Sequence, residues 1–564
     1  MTPTRVTRMA AVPALLAFAM AGAPARAWDV SPARAPRSEP LRASARPAAS
    51  LATSELVPTA SELFARERAA GGVEHRPETE RETWSVRSAG LAGTLVVVRH
   101  GADRAAALGL GPFRSARGVD HGQHWHQDDN GQTVLETSAP DGDERLVAQN
   151  VSRVHEPLDA WLDSATYAGG RVRRTFFNPR SYAIVRVENT LPGGTVRTSY
   201  DDFRTDAHGR TRAWHEFGDE DGSAGTFDYR LVRDDSGTPV AASELAIPHD
   251  RGTLVEFPAG AQTVRLPARI AGGRIYVRLT IGGRGLDFLL DSGAAAISLD
   301  SSVARTLGLA AYGHVMQTVA GTFAASRVVA PLVSIGPLVM RNVVMQTMPI
   351  SLQEDHTTRV VGLLGFDFLD AVALRIDYAS GTVDASRPGT GPPPGDAAAL
   401  RVRLGSQTPN ARATVGEASG DDFIVDTGAD FSLVLFAHFM RVHPDAPLPL
   451  QGDVRSGAGI GGPMPYRALP PQRLTVGSWR LNDVPSVAPL SPSALGFGDE
   501  DGLIGSDVLR RFIVYLDYAE NRIFLGAPRT LPEPHRITAP RTFPEPHRST
   551  AEHRRTYRRR ALRR

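Results

Sequence analysis

One eight-residue motif occurs twice in the chain and restricts the fold more than any other feature. Residues 287–294 read DFLLDSGA, and residues 422–429 read DFIVDTGA. In each copy an apolar run leads into Asp-Ser/Thr-Gly, where the glycine permits a tight backbone turn that exposes the preceding carboxylate. The duplication therefore predicts two similar modules, each of which presents one aspartate, Asp291 or Asp426, on a loop.

A second motif follows each copy of the first, in the same order. Residues 362–369 read GLLGFDFL, and residues 502–509 read GLIGSDVL. Asp-Tyr-Ala then occurs in both halves at the same offset from this second motif. A lone Asp-Thr-Gly is common by chance, but two copies with matching downstream partners indicate a duplicated domain.

The paired motifs resemble those of the aspartic proteases, and specifically two retropepsin-like lobes fused in one chain. The resemblance covers roughly 263–528. It implies a dyad of aspartates, hydroxyl groups that bond the backbone of the opposite loop, and no need for a cofactor or for homodimerisation. The residues that it assigns to the dyad and its support are Asp291, Ser292, Gly293, Asp426, Thr427 and Gly428.

Two carboxyl groups a hydrogen bond apart can hydrolyse an amide without a metal or a covalent nucleophile. One group takes a proton from water while the other gives a proton to the carbonyl oxygen. Like charges at that separation cannot both ionise, so one pKa rises and the pair shares a proton. The pair titrates as a unit, so the sequence does not say which aspartate is the acid. We expect an aspartic endopeptidase that acts on a peptide or protein substrate.

A glycine-containing stretch lies between the two motifs of each lobe. These stretches are 318–323, around Gly321, and 457–462, around Gly459. By position they match the mobile hairpins, or flaps, that close over substrate in the resembling family, and surface hairpins without such a role are the alternative. A further acid, Asp430, follows the second loop, and we expect it to face solvent or to cap a turn.

The expected fold class is mainly β: two pseudo-symmetric retropepsin-like lobes preceded by an antiparallel β domain. The many Gly and Pro residues favour turns between short strands. The predicted boundaries are a signal peptide at 1–27, a flexible leader at 28–55, the N-terminal β domain at 56–262, lobe 1 at 263–388, a Pro/Gly linker at 389–399, lobe 2 at 400–528 and a basic disordered tail at 529–564.

The N-terminus has the pattern of a secretory signal. Arg5 and Arg8 precede an apolar stretch, and Ala25-Arg26-Ala27 is a small-x-small cleavage site. An uncleaved interfacial anchor is the alternative. With no later segment that looks transmembrane and no cysteine in the chain, we expect a soluble periplasmic or secreted protein without disulfides.

Residues 82–262 consist of short alternating runs separated by Gly- or Asp-rich turns. This pattern is typical of a curved antiparallel sheet, a half-barrel that a helix covers. We place a short helix at 60–70, with Ser61 as its N-cap. The stretch 111–128 is similar to the lipoprotein-carrier-like domains that precede some bacterial aspartyl proteases, which implies a concave apolar surface for an acyl chain, the lobes or a substrate.

That similarity leaves two other interpretations open. In the first, the chain is a periplasmic lipid- or ligand-binding protein on an inactive protease scaffold. In the second, the N-terminal domain is an inhibitory prodomain. Net charge adds little to the choice: both termini are rich in arginine, the body is net acidic, and this distribution does not suggest nucleic-acid binding. The basic tail either contacts anionic surfaces or is an inert solvated segment.

Two histidine patterns also suggest other sites. His121, His124 and His126 lie close in sequence, so metal ligation is one interpretation, and exposed strand histidines beside a buried Trp125 are the other. Arg99-His100-Gly101 resembles a histidine-phosphatase loop, but no parallel βα unit follows it in the sequence. We therefore assign no metal ligand and no phosphatase activity.

Overall fold

The chain is mainly β, as the sequence predicts. The computed structural model describes residues 57–136, 146–167, 170–191, 194–220, 226–318, 322–350, 352–353, 359–390, 397–404, 407–444, 453–459, 462–490 and 500–529. The signal peptide, the leader and residues 530–564 of the tail lie outside the described residues and stay predictions. None of the described helices is long and apolar enough to cross a membrane.

The N-terminal sheet is a single antiparallel sheet of 13 strands. Its strands are β1 Thr79–Ser88, β2 Leu91–His100, β3 Asp103–Leu110, β4 Phe113–Asp120, β5 Gln123–Gln127, β6 Thr133–Glu136, β7 Leu146–Val154, β8 Ala160–Tyr167, β9 Val172–Phe177, β10 Ile184–Leu191, β11 Gly194–Thr205, β12 Thr211–Glu220 and β13 Thr226–Asp234. Consecutive strands pair throughout except β6 and β7, which form the two edges, and at the centre β1 also pairs with β13 and joins the two halves of the sheet.

One helix, α1 (Ala60–Gly71), packs on this sheet through Leu63, which is fully buried against Trp161 and Phe177. The N-cap is Thr59, so the assignment of Ser61 to that position is wrong. Thr59 accepts the backbone N–H of Glu62, and the Glu62 carboxylate bonds back to Thr59. This reciprocal capping box satisfies two orphan N–H groups, which explains why the N-cap lies two residues before Ser61 and the helix begins at Ala60. Two single-turn 3₁₀ segments, Val73–His75 and Ala242–Glu244, complete the region.

Lobe 1 contains the first copy of each duplicated motif. Its elements are β14 Thr263–Arg265, β15 Ala268–Ala271, β16 Arg274–Ile281, β17 Arg284–Leu290, β18 Ser298–Asp300, α2 Ser301–Thr306, β19 Tyr312–Thr318, β20 Thr322–Ile335, β21 Leu338–Met348, β22 Leu352–Gln353, β23 Arg359–Leu364, α3 Phe366–Asp370, β24 Ala373–Asp377 and β25 Thr382–Ser386.

Lobe 2 repeats this order of elements among the described residues, without counterparts of β14 and β22. Its elements are β26 Ala398–Arg403, β27 Asn410–Val415, β28 Ala418–Val425, β29 Leu433–Leu435, α4 Ala437–Val442, β30 Val454–Gly459, β31 Gly462–Val476, β32 Trp479–Pro489, β33 Gly502–Ile504, α5 Ser506–Leu509, β34 Ile513–Asp517, a 3₁₀ turn Tyr518–Glu520 and β35 Arg522–Leu525.

Each lobe contains a closed barrel of the same topology. In lobe 1 the order is β16-β17-β23-β18-β21-β20, closed by pairing of β16 with β20. In lobe 2 the order is β27-β28-β33-β29-β32-β31, closed by pairing of β27 with β31. The duplicated sequence motifs therefore correspond to duplicated barrels, because equivalent apolar runs occupy equivalent strands.

The two lobes are joined strand to strand. β24 of lobe 1 pairs antiparallel with β34 of lobe 2, with Ala373 opposite Asp517 and Asp377 opposite Ile513. The pairing is symmetric about its central pair, Arg375 opposite Tyr515, which are equivalent positions of the two lobes. Apolar residues from both lobes also form one continuous buried cluster. This sheet brings the loops after β17 and β28 towards a common axis.

The N-terminal sheet packs against lobe 1. The backbone N–H of His314 on β19 donates to the carbonyl of Ala89 at the β1–β2 turn over 2.8 Å. The ring of Phe113 on β4 makes an edge-to-face contact with Tyr312, at 5.8 Å between ring centroids. The turn after β5 also contacts lobe 1 at Val344.

Candidate active site

Each motif aspartate directly follows a strand that its own second motif supports. β17 runs parallel to β23, and β28 runs parallel to β33. The N–H of Asp291 donates to the carbonyl of Leu364 over 3.1 Å, and the N–H of Asp426 donates to the carbonyl of Ile504 over 2.9 Å. The GLLG and GLIG segments are thus the backbone support of the two loops, which explains their constant offset from the Asp-Ser/Thr-Gly motifs.

The structure brings Asp291 and Asp426 together. Their carboxyl groups are in hydrogen-bonding contact; the Asp426 side chain is buried, and Asp291 is half-buried. The N–H of Gly293 donates to Asp291 Oδ1 over 3.0 Å, and the N–H of Gly428 donates to Asp426 Oδ1 over 2.7 Å. Each loop therefore holds its own carboxylate while the two carboxylates face each other.

The electrostatics of the pair favour a shared proton. Burial raises the pKa of Asp291 well above its usual value, and repulsion from Asp426 raises it further. Burial also raises the pKa of Asp426, an effect that the N–H of Gly428 and the hydrogen bond with Asp291 oppose. Because an isolated buried carboxylate pair cannot hold two negative charges, the pair keeps one proton at pH values where an exposed aspartate is ionised.

Ser292 and Thr427 lock the two loops to each other. The Ser292 hydroxyl donates to the carbonyl of Val425 over 2.7 Å and accepts the N–H of Thr427 over 2.9 Å. Thr427 reciprocates: its hydroxyl donates to the carbonyl of Leu290 over 2.9 Å and accepts the N–H of Ser292 over 3.1 Å. Both side chains are buried. These four bonds fix the relative position of the loops and, with it, the geometry of the carboxyl pair.

Gly293 and Gly428 are placed where no side chain fits. A Cβ atom built on Gly428 would lie 2.4 Å from Asp291 Cγ, and one on Gly293 would lie 2.5 Å from Asp426 Oδ2. The constraint here is the close approach of the opposite carboxyl group and not backbone conformation. The two glycines are required so that each carboxyl can reach across the axis.

We expect Gly428→Ala to separate the two carboxyl groups and to lower kcat by roughly 10²-fold or more. A displacement of reacting groups by about 1 Å has an effect of that size in an aligned site. Steady-state cleavage of a fluorogenic peptide measures the change. Gly416→Ala is a matched control, because a Cβ at Gly416, in the β27–β28 turn, would meet no atom within 4 Å. Gly416 has a positive φ of 62°, so this variant controls for a strained loop without a clash. Equal activity of the two variants would contradict the assigned role of Gly428.

Two tyrosines lie behind the pair, where sequence reasoning did not place them. Tyr518 is fully buried next to Ser292, and Tyr378 is partly buried near Asp426. Burial raises the pKa of both phenols, so both stay neutral. They belong to the repeated Asp-Tyr-Ala segments, and the equal offset of these segments from the second motifs was the signal that could have assigned them to the site.

The flap candidates are hairpins in both lobes. β19 and β20 pair up to Thr318 opposite Thr322, and Gly321 in their turn lies outside the described residues. In lobe 2, Gly459 ends β30 and pairs with Gly462 of β31. Closure over a substrate stays a prediction for both. Asp430 is half exposed and forms an ion pair with Arg274 at 3.0 Å.

The histidines near the end of β4 do not come together as a group of three. His124 and His126 lie on β5, and the buried His126 is 3.4 Å from Gln407 of lobe 2. His121 is exposed and instead hydrogen-bonds Asp120 and Asp103, acidic neighbours that the sequence did not indicate. These hydrogen bonds account for that small group, and no ligand role follows for it.

The Arg99-His100-Gly101 segment is a β-hairpin corner. β2 turns directly into the antiparallel strand β3, and Arg99 bonds the buried carboxylate of Glu80. A phosphate-binding loop beside a parallel βα unit is thus excluded for this segment.

Comparison with known proteins bears on lobe 1. Residues 277–368 match the family model described as aspartyl protease. The match contains Asp291 and most of the GLLGFDFL segment, whereas Asp426 lies outside it. A similar solved structure is that of the aspartic proteinase from Irpex lacteus, at 13% identity over 47% of this chain and 97% of that chain, with a TM-score of 0.31. No curated protein matches the chain. The family match supports an aspartyl protease relationship for lobe 1.

Proposed function

We propose that the protein is an exported aspartic endopeptidase in which Asp291 and Asp426 activate water for peptide hydrolysis. The observation that carries the proposal is the contact of the two carboxyl groups, one from each lobe, held by the reciprocal hydroxyl bonds of Ser292 and Thr427. A single chain supplies both halves of the site, so the proposed active form is a monomer. Export rests on the signal-like sequence at 1–27.

The proposed mechanism uses the one proton that the pair retains. The ionised carboxylate takes a proton from water as the water oxygen attacks the peptide carbonyl carbon. The proton on the partner passes to the carbonyl oxygen, which gives a neutral tetrahedral diol. A proton from the pair then passes to the amide nitrogen as the C–N bond breaks, and a diol hydroxyl returns a proton to the pair. The products are an acid and an amine, and the pair ends as it began.

The pH dependence of cleavage follows from the directions of the two pKa shifts. Since the pKa of Asp291 is raised, the shared proton is present at acidic pH and is lost as the pH rises through that pKa, and activity falls with it. At the acid end both groups become protonated and no base remains. We expect a bell-shaped profile of kcat/KM with its maximum at acidic pH, measured with one peptide across a buffer series.

A peptide-library digest analysed by mass spectrometry across pH tests the proposed function. Cleavage at internal peptide bonds at acidic pH, blocked by an inhibitor that carries a hydroxyl group in place of the scissile carbonyl, supports it. The absence of cleavage at every pH, with correctly folded protein, would refute it. Cleavage that the inhibitor leaves unchanged would assign the activity to another site or to a contaminant.

A further inference from the structure

A second pair of buried carboxyl groups lies outside the dyad. Asp128 belongs to the turn after β5 of the N-terminal sheet, and Asp367 belongs to α3, directly after the GLLG segment of lobe 1. Both are buried, with 8% and 5% of their surface exposed, and their side chains are in hydrogen-bonding contact. The contact joins two segments that are far apart in sequence.

The hydrogen bonds at Asp128 favour a proton on this pair. Asp128 Oδ1 accepts the N–H of Gln132 over 2.9 Å. Asp128 Oδ2 is buried and meets no N–H or O–H donor among the described residues. An ionised carboxylate with a buried, unsatisfied oxygen is costly, whereas a protonated Asp128 becomes a donor to Asp367. Burial and the negative charge of Asp367 both raise the pKa of Asp128.

Asp367 in turn holds the loop that carries Asp291. Its Oδ2 accepts the N–H of Ile297 over 2.7 Å. One residue earlier in α3, the N–H of Phe366 donates to the carbonyl of Ala294 over 2.9 Å. The backbone from Ala294 to Ile297 is therefore fixed at both ends by the start of α3, and this stretch directly follows Asp291-Ser292-Gly293.

Lobe 2 supplies an internal comparison. The equivalent residue, Asp507, contacts the Ser432 hydroxyl at 3.5 Å and forms an ion pair with Arg510 at 3.0 Å. Its side chain is 34% exposed, so solvent and a residue of its own lobe compensate its charge. Asp367 has a different arrangement, since its partner comes from the N-terminal sheet.

The turn that carries Asp128 is itself anchored on lobe 1. The Asn130 amide donates to the carbonyl of Val344 over 3.2 Å and accepts the N–H of the same residue over 2.8 Å. Asp129 pairs with Arg327, whose side chain is 4% exposed. Three consecutive side chains of one turn thus each contact lobe 1, which fixes the approach of Asp128 to Asp367.

We propose that Asp128 is a positioning residue for the active site: by donating a hydrogen bond to Asp367, it holds the Ala294–Ile297 backbone behind Asp291. On this proposal, which rests on the proposed function, the N-terminal sheet is a permanent part of the enzyme and not a removable inhibitory segment.

The charged groups around this pair determine its response to pH. They are Asp129 on the same turn, Asp250 and Arg251 before lobe 1, Arg327 on β20, Asp370 on α3 and Asp517 on β34. Burial and repulsion from Asp250, Asp367 and Asp517 raise the pKa of Asp370 to about 7. The raised pKa of Asp128 means that its contribution to stability is complete at acidic pH and is lost as the pH rises through that pKa.

Three variants of the full chain test the proposal. Asp128→Ala removes the donor, and we expect kcat to fall about tenfold with KM within about twofold of the parent value. Asp128→Asn restores a donor, since its amide N–H can bond Asp367 at every pH, and we expect kcat within about threefold of the parent. Phe113→Leu is the control for loosened docking, because it loses the edge-to-face contact with Tyr312 and the cation–π contact with Arg327 but keeps both Asp128 and Asp367, and it should lower Tm but not kcat.

A second measurement does not depend on activity. Thermal unfolding followed across pH should show that the parent loses Tm with rising pH relative to Asp128→Asn, whose amide does not ionise. Parallel curves would overturn the shared proton even if no peptide is cleaved, in which case the proposed function fails separately. Parent-like kcat for Asp128→Ala, or an equal loss of kcat in Phe113→Leu at the same loss of Tm, would overturn the positioning role. If Asp128→Ala does not fold, the pH curve of Asp128→Asn decides the question.

Discussion

Asp291→Asn and Asp426→Asn should each lower kcat/KM by roughly 10²- to 10⁴-fold while the fold is retained. Asparagine preserves the shape of the side chain but cannot take a proton from water or pass one to the substrate. Each variant also removes one of two buried acids, so the free energy of unfolding should fall less steeply with rising pH than in the parent. Peptide cleavage at the optimal pH and chemical denaturation at two pH values measure the two effects.

The matched control for these variants is Asp430→Asn. Asp430 lies four residues after Asp426 in the same loop region, but its side chain is 53% exposed and pairs with Arg274. Its change should leave kcat/KM within about twofold of the parent, because exposed ion pairs contribute little. Retention of more than a tenth of the parent activity by either dyad variant would show that its aspartate is not part of the reaction.

Thr427→Val should give the largest loss of stability of any single change at the site. Valine matches threonine in shape but leaves the N–H of Ser292 and the carbonyl of Leu290 without their buried partner. Each unsatisfied group costs about 1–3 kcal/mol, so the free energy of unfolding should fall by roughly 2–6 kcal/mol. Denaturant titration measures the loss, and kcat should fall with it because the two loops lose their register.

Thr427→Ser is the control, since it keeps the hydroxyl and removes only a methyl group. It should cost about 1 kcal/mol and preserve most of the activity. If the valine and serine variants unfold at the same denaturant concentration, the hydroxyl bonds do not hold the loops together.

The Gly and Pro content and the family resemblance carried by the duplicated motifs predicted the β class, and the resemblance also predicted the meeting of Asp291 with Asp426. Motif spacing is informative here because a carboxylate on a loop needs a strand before it and a support behind it, and both leave a sequence pattern. Assignment of the roles of Ser292 and Thr427 also followed from the family resemblance, and the structure shows the four bonds that it implied. Catalysis, export and the acyl-binding surface stay predictions.

Long-range contacts were not predictable from the same patterns. Asp128 stands in an Asp-Asp-Asn-Gly run that has the composition of an ordinary turn, and nothing local shows that Asp128 is buried or that Asp129 pairs with Arg327 of lobe 1. Tyr518 was part of a recognised repeat, but its contact with Ser292 depends on how β34 crosses the lobes. Such contacts depend on the packing of distant strands, which the order of residues in one segment does not encode.

The continuous strand pairing between β24 and β34 has a mechanical consequence. The two halves share backbone hydrogen bonds and a common apolar interior, so neither can rotate as a rigid body without breaking several bonds at once. On the proposed function, we therefore expect room for an incoming polypeptide to come from bending of the two hairpins, while the strands that join the lobes stay in place. We expect the substrate selectivity of such a molecule to depend on the two hairpins and on the walls of the cleft, and not on movement between the lobes.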